Sequence, residues 1–224
     1  MSLPALSLLE TRVLGVLVEK HHTVPDTYPL TLNALTSGCN QKTSRDPVLE
    51  ATEAEVQAVV DRLKGLSLVV ESSGGRVMRY AHNVGRVLGV PAQAVALLTV
   101  IMLRGPQTVG ELRIHSERLH RFADISSVEA FLEELAHREA GPLVVELARQ
   151  PGARETRWAH LLSGTPALPA AEPAAAGTTG SDGQQVTLGE LAALKTNVAR
   201  LEDELAEVRA TVARIMTELG LPPA

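Results

Sequence analysis

The order of secondary-structure signals repeats along the chain, and this repeat limits the possible folds more than any other feature. Two similar stretches, RYAH at 79–82 and RWAH at 157–160, lie 78 residues apart. Each closes the same series of patterns, which predicts three helices followed by a β-hairpin. The sequence therefore predicts two copies of one structural unit.

Four predicted helix starts carry the capping-box spacing, in which a hydroxyl residue is followed three positions later by glutamate. Apolar residues with helical spacing follow these starts. The four pairs are Ser7 with Glu10, Thr52 with Glu55, Thr108 with Glu111, and Ser126 with Glu129. Two further helices are predicted in TLNALTSGC, from Thr31, and in AQAVALLTVIMLRG.

The hairpins are predicted from β-rich runs separated by turn residues. In the first unit SLVVE, a Ser-Ser-Gly-Gly turn and RVMRYAH follow one another. In the second unit the turn is expected at Pro151-Gly152. A turn centred there places Glu146 opposite Arg157 as a cross-strand pair of opposite charge.

Together these elements predict a mainly α protein with small β-hairpins, of the α+β class, built as two tandem winged-helix domains. Three helices and a terminal hairpin form the winged-helix arrangement, in which the hairpin is the wing. The first domain is expected at 1–84 and the second at 85–164, joined by a short connection at 84–90. Each unit is small for an independent core, so the two are expected to pack on each other.

The C-terminal part has a different composition. Residues 165–185 are rich in Pro, Ala, Gly, Ser and Thr, which predicts a flexible, disordered linker. Residues 186–220 predict a coiled-coil helix, because apolar residues repeat at two heptad positions over four heptads. The alternative is an amphipathic helix folded back on the body, although such a helix needs a wider apolar face. The seam consists of Leu191, Leu194, Val198, Leu201, Leu205, Val208, Val212, Ile215 and Leu219.

Charges beside the seam favour a parallel homodimer. In a parallel pair Glu190 would face Lys195 of the second copy, and Glu204 would face Arg209. In an antiparallel pair the glutamates would face one another. Exposed ion pairs of this kind contribute little, about 0.2–1 kcal/mol each.

Charge and composition argue against several classes of protein. The net charge is −5, and residues 165–224 carry four basic and eight acidic residues, so the body is nearly neutral. A strong nucleic-acid binder usually has a basic footprint, and a single-strand binder needs aromatic side chains for stacking. The sequence has only five Phe, Tyr and Trp residues. We expect a cytoplasmic protein without a membrane span, because no long apolar run and no secretory signal is present.

The segment NQKTSRDP at 40–47 is the most unusual polar stretch, and two interpretations remain open. It is either a contact surface for phosphates and base edges or a structured loop held by its own side chains. About a dozen residues separate its predicted flanking helices, whereas a helix-turn-helix normally uses 3–4. The candidate contact residues in this loop are Asn40, Gln41, Lys42 and Arg45.

Arginines on the two predicted hairpins are the second set of candidate contacts. They could meet phosphates of double-stranded DNA, or they could be solvated or paired within the protein. Each phosphate contact would add close to one unit to the salt dependence of binding. The residues are Arg76, Arg79, Arg154 and Arg157.

No catalytic, cofactor or metal motif is recognised in the sequence. His21 and His22 lie near Asp26 but lack further ligands at metal-binding spacing. Cys39 is interpreted as a small buried residue, and His82 and His160 as packing residues. We therefore expect no enzyme activity and no cofactor.

The stretch TYPLTLNALTSGCNQKTSRDPV at 27–48 resembles the signature of the YceH-like family of bacterial proteins. The resemblance extends through ETRVLGVLVEK, GELR, LAHREAGPLV and RETRWAHLLSG and covers about residues 7–164. It implies two tandem winged-helix domains, in agreement with the repeat. The role of that family is poorly defined, so the resemblance informs the fold more than the function.

Two classes of function follow. The first is a DNA-binding or transcription-regulatory protein that is dimerised by its coiled coil. The second is a protein–protein interaction scaffold, similar in plan to the tandem winged helices of the chromosome-segregation protein ScpB. We expect the first, because winged helices are most often used on DNA, and keep the scaffold as the alternative, which the near-neutral body and the long loop favour.

Overall fold

A computed structural model describes residues 3–72, 77–149 and 153–166. Residues 167–185 of the predicted linker and the coiled-coil seam lie outside the described residues, as do Arg76 and the Pro151-Gly152 turn. Over the described ranges the chain is a mixed α+β structure with seven helices and two small antiparallel sheets.

The first half contains three helices and a three-stranded sheet. The strands are ordered β1-β3-β2, and both pairings are antiparallel. The elements are α1 at Leu8–Thr23, β1 at Leu30–Thr31, α2 at Leu32–Cys39, α3 at Glu53–Gly65, β2 at Val69–Ser72 and β3 at Arg79–His82.

The second half repeats this order after a one-turn helix, α4 at Val84–Leu88. In the first half Leu30 of the edge strand β1 pairs with Tyr80. At the equivalent place in the second half Gln107 forms a single β-bridge with Trp158, so a single bridge replaces the edge strand. The elements are α5 at Ala92–Arg104, α6 at Val109–His115, α7 at Ile125–Ala136, β4 at Val144–Leu147 and β5 at Arg157–His160. RYAH and RWAH are thus the final strands β3 and β5, as the repeat predicts.

Side-chain caps fix the starts of these helices. Ser7, Thr52 and Thr108 each form the predicted capping box, and Thr31 caps α2. The prediction for α7 was wrong, because the cap is Asp124 and its partner is Ser127. Aspartate is among the strongest N-caps, and starting two residues earlier satisfies the backbone amides at the helix start.

The cross-strand pairing predicted for the second hairpin was also wrong. Glu146 lies opposite Trp158, and Arg157 lies opposite Leu147. The observed register differs by one residue from that of a turn centred on Pro151-Gly152. Register decides which side chains lie on the same face of a sheet, because a slip of one residue moves a side chain to the other face. In the observed register Glu146 accepts a hydrogen bond from Thr156 and does not pair with Arg157.

Helices α1 and α5 form the centre of the core and join the two halves. Residues 10–18 of α1 and 94–103 of α5 are all buried, which is typical of helices covered on every side. The two helices pack closely where Gly15 meets Leu103, since a Cβ built on Gly15 would lie 2.8 Å from that leucine side chain. The halves therefore share one core, and the described residues of both group into one compact unit.

None of the helices in the described ranges combines the length and the apolar character that crossing a bilayer requires.

Candidate functional site

Arg45, a predicted contact residue, is buried inside the loop that was expected to present it. Its side chain has no exposed surface and binds both carboxylate oxygens of Glu19, at 3.1 and 2.6 Å. It also donates to the carbonyls of Gly38 and Ser44 and to the side chain of Gln41. The geometry corresponds to the structured-loop interpretation for this residue, because the guanidinium is already fully engaged.

Arg12 of α1 binds the backbone at both ends of the same loop, and the sequence patterns did not identify it. This fully buried residue of α1 donates to the carbonyls of Cys39 and Pro47, at 3.2 and 2.6 Å. Burial lowers the pKa of Arg12, and the nearby charge of Arg45 lowers it further. A buried arginine within an apolar helix pattern gives no periodic signal, so only the tertiary structure reveals it.

The remaining loop residues divide into structural and exposed positions. Asn40 forms two hydrogen bonds of 2.8 Å with the backbone of Ala51, which closes the loop onto the start of α3. Gln41 accepts from Arg45 at 2.7 Å. Lys42 is exposed, so it is the member of this set that can reach an external group.

The loop also ties the two halves of the protein together. The backbone amide of Asp46 donates to the carbonyl of Leu103 at 2.8 Å. Arg104, at the end of α5, donates to the Ser44 hydroxyl at 2.7 Å. These contacts give the segment at 40–47 a structural role between the repeats.

The hairpin arginines occupy equivalent positions and bind equivalent backbone groups. Arg79 donates to the carbonyls of Thr27 and Pro29, the latter at 2.7 Å. Arg157 donates to the carbonyl of Pro106 at 2.9 Å and pairs with Glu111 at 3.0 Å.

Both arginines therefore tie their strand to the segment before the second helix of their repeat. Arg154 is exposed, and the placement of Arg76 lies outside the described residues.

The histidines that end the two strands are packed and neutral. Burial lowers the pKa of His82 to about 4, and the neighbouring His21 contributes. Burial lowers the pKa of His160 to about 4 as well. In both residues the buried Nδ1 has no hydrogen-bond partner among the described residues, which a protonated ring would require.

Two further candidate groups in the described part of the chain are the Cys39 thiol and the potential metal ligands. Burial raises the pKa of the Cys39 thiol to about 12, which keeps it protonated and unreactive at neutral pH. The described ranges contain no group of three or more His, Cys, Asp or Glu residues placed to hold a metal ion.

A groove lies between the two repeats and was not predicted from the sequence. It has a volume of about 520 Å³ and is formed by the C-terminal ends of α1 and α5, the loop at 40–47, and α6 with the residues that follow it. Three cationic side chains, Lys20, Arg104 and Arg118, line it. We call this cavity the inter-repeat groove.

The rim of the inter-repeat groove combines positive charge with an exposed apolar residue. Ile114 of α6 is 69% exposed and lies between the groove and a smaller cavity of about 130 Å³. Arg113, Arg121 and Phe122 line that smaller cavity. The segment RIHSERLHRF at 113–122 therefore forms a basic surface with an apolar centre.

The exposed faces of the third helices have the opposite charge. On α3 the exposed carboxylates are Glu53, Glu55 and Asp61. Of its two cations, Arg62 is 56% exposed and pairs with the buried Glu10 at 3.0 Å, and Lys64 pairs with Asp61 and Glu71. Helix α7 carries no Lys or Arg and exposes Glu129, Glu133 and Glu134.

The comparisons with known proteins give the family. Residues 6–153 match the family model described as "Protein of unknown function, DUF480". A UPF0502 protein of Dechloromonas aromatica is 63% identical over 209 residues, which cover 93% of this chain and 95% of that protein.

Two further relatives match nearly the whole chain. UPF0502 proteins of Burkholderia multivorans and Methylibium petroleiphilum are 59% and 60% identical over 220 residues, or 98% of this chain and 92% of each relative. The match therefore includes most of the residues after 164. On these findings the chain belongs to the DUF480 family of bacterial UPF0502 proteins.

Proposed function

We propose that the chain is a non-enzymatic protein–protein interaction module, built from two winged-helix domains and dimerised by a C-terminal coiled coil. The repeated order of three helices and a hairpin supports the winged-helix architecture, as does the resemblance to the YceH-like family. The heptad seam supports the dimer. A free, buried Cys39 thiol supports a cytoplasmic location, because thiols stay reduced there.

The acidic exposed face of both third helices is the observation that carries this proposal. In winged helices that read DNA, the third helix enters the major groove between two rows of phosphates. Here α3 presents Glu53 and Glu55 near its start, and α7 presents Glu129 and Glu133 on a helix without Lys or Arg. Repulsion by the phosphates opposes such docking, whereas a protein partner has no such restriction.

The contacts of the predicted DNA-binding arginines point in the same direction. Arg45 and Arg157 are paired with Glu19 and Glu111, and Arg79 is bonded to backbone carbonyls. Binding a phosphate through these residues would first break contacts that hold the fold. They are therefore better suited to stability than to recognition.

A DNA-binding regulator is the second candidate function, and one observation favours it. Arg113, Arg118 and Arg121 are exposed within nine residues of one another, and Lys42 and Arg154 are exposed as well. A duplex bound at this surface would be held through its backbone. It would not be read by the third helices.

Photo-crosslinking in cells tests the proposal. A photoreactive residue is placed at Ala58, on the exposed face of α3, and separately at Ile114, with Arg86 of α4 as a control position. Interaction with proteins predicts adducts that protease removes and nuclease leaves intact, from Ala58 or Ile114 but not from Arg86. Nuclease-sensitive adducts at Ala58 would contradict the proposal.

A further inference from the structure

We infer that the inter-repeat groove binds an acidic, apolar-containing segment of a partner protein. This inference rests on the proposed function and names the surface and the class of ligand that serve it. The groove's volume of about 520 Å³ falls within the range of ligand-binding pockets. Residues from both repeats form it, so it exists only because the two repeats pack together.

The charge of the groove selects an anionic ligand. Its cationic side chains are Lys20, Arg104 and Arg118, and its carboxylates are Glu19 and Glu117. The charge of Glu19 is already compensated, since Arg45 binds both of its oxygens. Burial raises the pKa of Glu19, but the hydrogen bonds and charge of Arg45 outweigh this effect and keep the pKa below its ordinary value.

Two of the cations are held in place before any ligand arrives. Lys20 lies 3.3 Å from Glu19 and 3.5 Å from the Gln41 side-chain oxygen. Arg104 is fixed by its 2.7 Å hydrogen bond to Ser44. Side chains that are already ordered lose less conformational entropy on binding, so the groove is prepared for carboxylate groups.

Ile114 adds an apolar contact to this charged surface. It is 69% exposed, and Ile114 and Glu117 line both the groove and the smaller cavity that contains Phe122. A ligand that spans both cavities would bring an apolar side chain against Ile114 and carboxylates towards the cations on either side. An extended peptide with alternating acidic and apolar residues has this arrangement.

The shape and composition of the groove favour a peptide over nucleic acid. The site is concave, whereas a duplex is contacted by protein elements that protrude into its grooves. Among the described residues that line the groove there is no Phe, Tyr or Trp, so bases of a single strand would find no aromatic platform for stacking.

A peptide-binding titration tests the inference on the full-length chain. The probes are short fluorescein-labelled peptides of Glu and Leu, of Lys and Leu, and of Gln and Leu, and fluorescence anisotropy is read at low salt. The Glu–Leu peptide alone is expected to bind saturably. Arg118→Glu should weaken its binding by about tenfold, because one attractive contact is lost and a repulsive one is created.

Matched variants separate the groove from a general charge effect. Arg118→Lys keeps the charge and should retain binding, and Ile114→Ser should weaken it. Arg86→Glu changes the net charge equally but lies on α4, which packs against α5 and does not line the groove, so it should bind like the unaltered chain. Circular dichroism spectra of all variants confirm that each is folded.

Three results would overturn the inference: no saturable binding of the Glu–Leu peptide, equal binding of all three peptides, or equal losses in Arg118→Glu and Arg86→Glu. If one of these occurs while crosslinking still yields protein adducts at Ala58, the groove assignment fails and the proposed function stands. Nuclease-sensitive adducts at Ala58 would instead remove the proposed function itself.

Discussion

Arg45 and Glu19 form an ion pair in which the guanidinium is fully buried and the carboxylate side chain is 19% exposed. The pair fixes the loop at 40–47, which in turn contacts α5 through the Asp46 amide and the Leu103 carbonyl. Its value to the protein is therefore structural. Its loss should affect both the loop and the contact between the repeats.

The first prediction concerns this pair. Arg45→Met should lower the free energy of unfolding by about 3 kcal/mol, because Glu19 loses its main partner and retains Lys20, and because two backbone carbonyls lose a donor. Urea unfolding followed by the fluorescence of Trp158, the single tryptophan, measures the change. Exposed Lys42→Met is the control and should change stability by less than about 0.5 kcal/mol.

A double variant completes this test. Arg45→Met combined with Glu19→Gln should cost less than the two single changes together, because the ion pair between the two side chains can be lost only once. Additive losses would show that the two side chains do not stabilise the fold as a pair.

The second prediction concerns His82 and His160, whose pKa values lie near 4 in the folded chain against an ordinary value of 6.5. Between these values the unfolded chain binds protons that the folded chain does not. The free energy of unfolding should therefore be highest above pH 6.5 and fall as the pH drops towards 4.

Urea titrations across this pH range measure the effect. His82→Gln should reduce the dependence on pH, and His82→Gln combined with His160→Gln should reduce it further. Equal slopes in all three proteins would contradict a neutral, buried His82.

The sequence identified the polar residues of the loop at 40–47 as candidates, but it could not show which of them are buried. Arg45 and Lys42 lie in one polar segment with similar local composition, yet one is buried and the other exposed. The difference arises because Glu19, on a helix far away in sequence, faces Arg45. Arg12 and Arg118 were missed for the same reason, since neither belongs to a motif and their importance depends on packing between distant segments.

At the scale of elements, the contact between α1 and α5 determines how the repeats combine. Gly15 of α1, which has no side chain, lies against the Leu103 side chain of α5. Close packing of this kind leaves no room for an added methyl group, because protein cores are already near the density of organic crystals.

The third prediction uses this contact. Gly15→Ala should lower the free energy of unfolding by about 1–3 kcal/mol, because the new Cβ would lie 2.8 Å from the buried Leu103 side chain. Gly65→Ala is a matched control, since a Cβ there has no neighbour within 4 Å. Its stability should be equal or slightly higher, as alanine favours helix over glycine. Equal losses in both variants would contradict tight packing at Gly15.

Elements were more predictable than their boundaries and pairings. The hydroxyl caps at Ser7, Thr52 and Thr108 identified three helix starts because capping is a local interaction. At α7 two overlapping cap patterns competed, and Asp124 was overlooked. The pairing of Glu146 failed because register depends on turn geometry, which the residue types alone do not fix.

In the whole molecule, the proposed coiled coil would join two chains, and each chain would offer one inter-repeat groove. Two linked grooves would bind a partner with two acidic segments more tightly than one groove could. The seam that is predicted to join two chains lies outside the described residues, so the dimer stays a prediction from the sequence.

The fourth prediction tests the dimer. Sedimentation equilibrium at micromolar concentration should give the mass of two chains, and Leu201→Lys with Val208→Lys should give one chain, because charges at seam positions oppose helix association. Lys195→Gln, beside the seam, is the control and should remain dimeric. A monomeric unaltered chain would contradict the proposed coiled coil.

The most direct test of the central claim, interaction with protein rather than DNA, is a titration of the full-length chain with a fluorescein-labelled DNA duplex of mixed sequence at several salt concentrations. We expect only weak binding, with a Kd in the non-specific range of roughly 10⁻⁶ M or above, and the same Kd for the Lys42→Ala/Arg154→Ala variant. Tight binding would contradict the proposed function. A slope against salt that becomes shallower by about one unit for each cation removed would then place the DNA contact at Lys42 and Arg154.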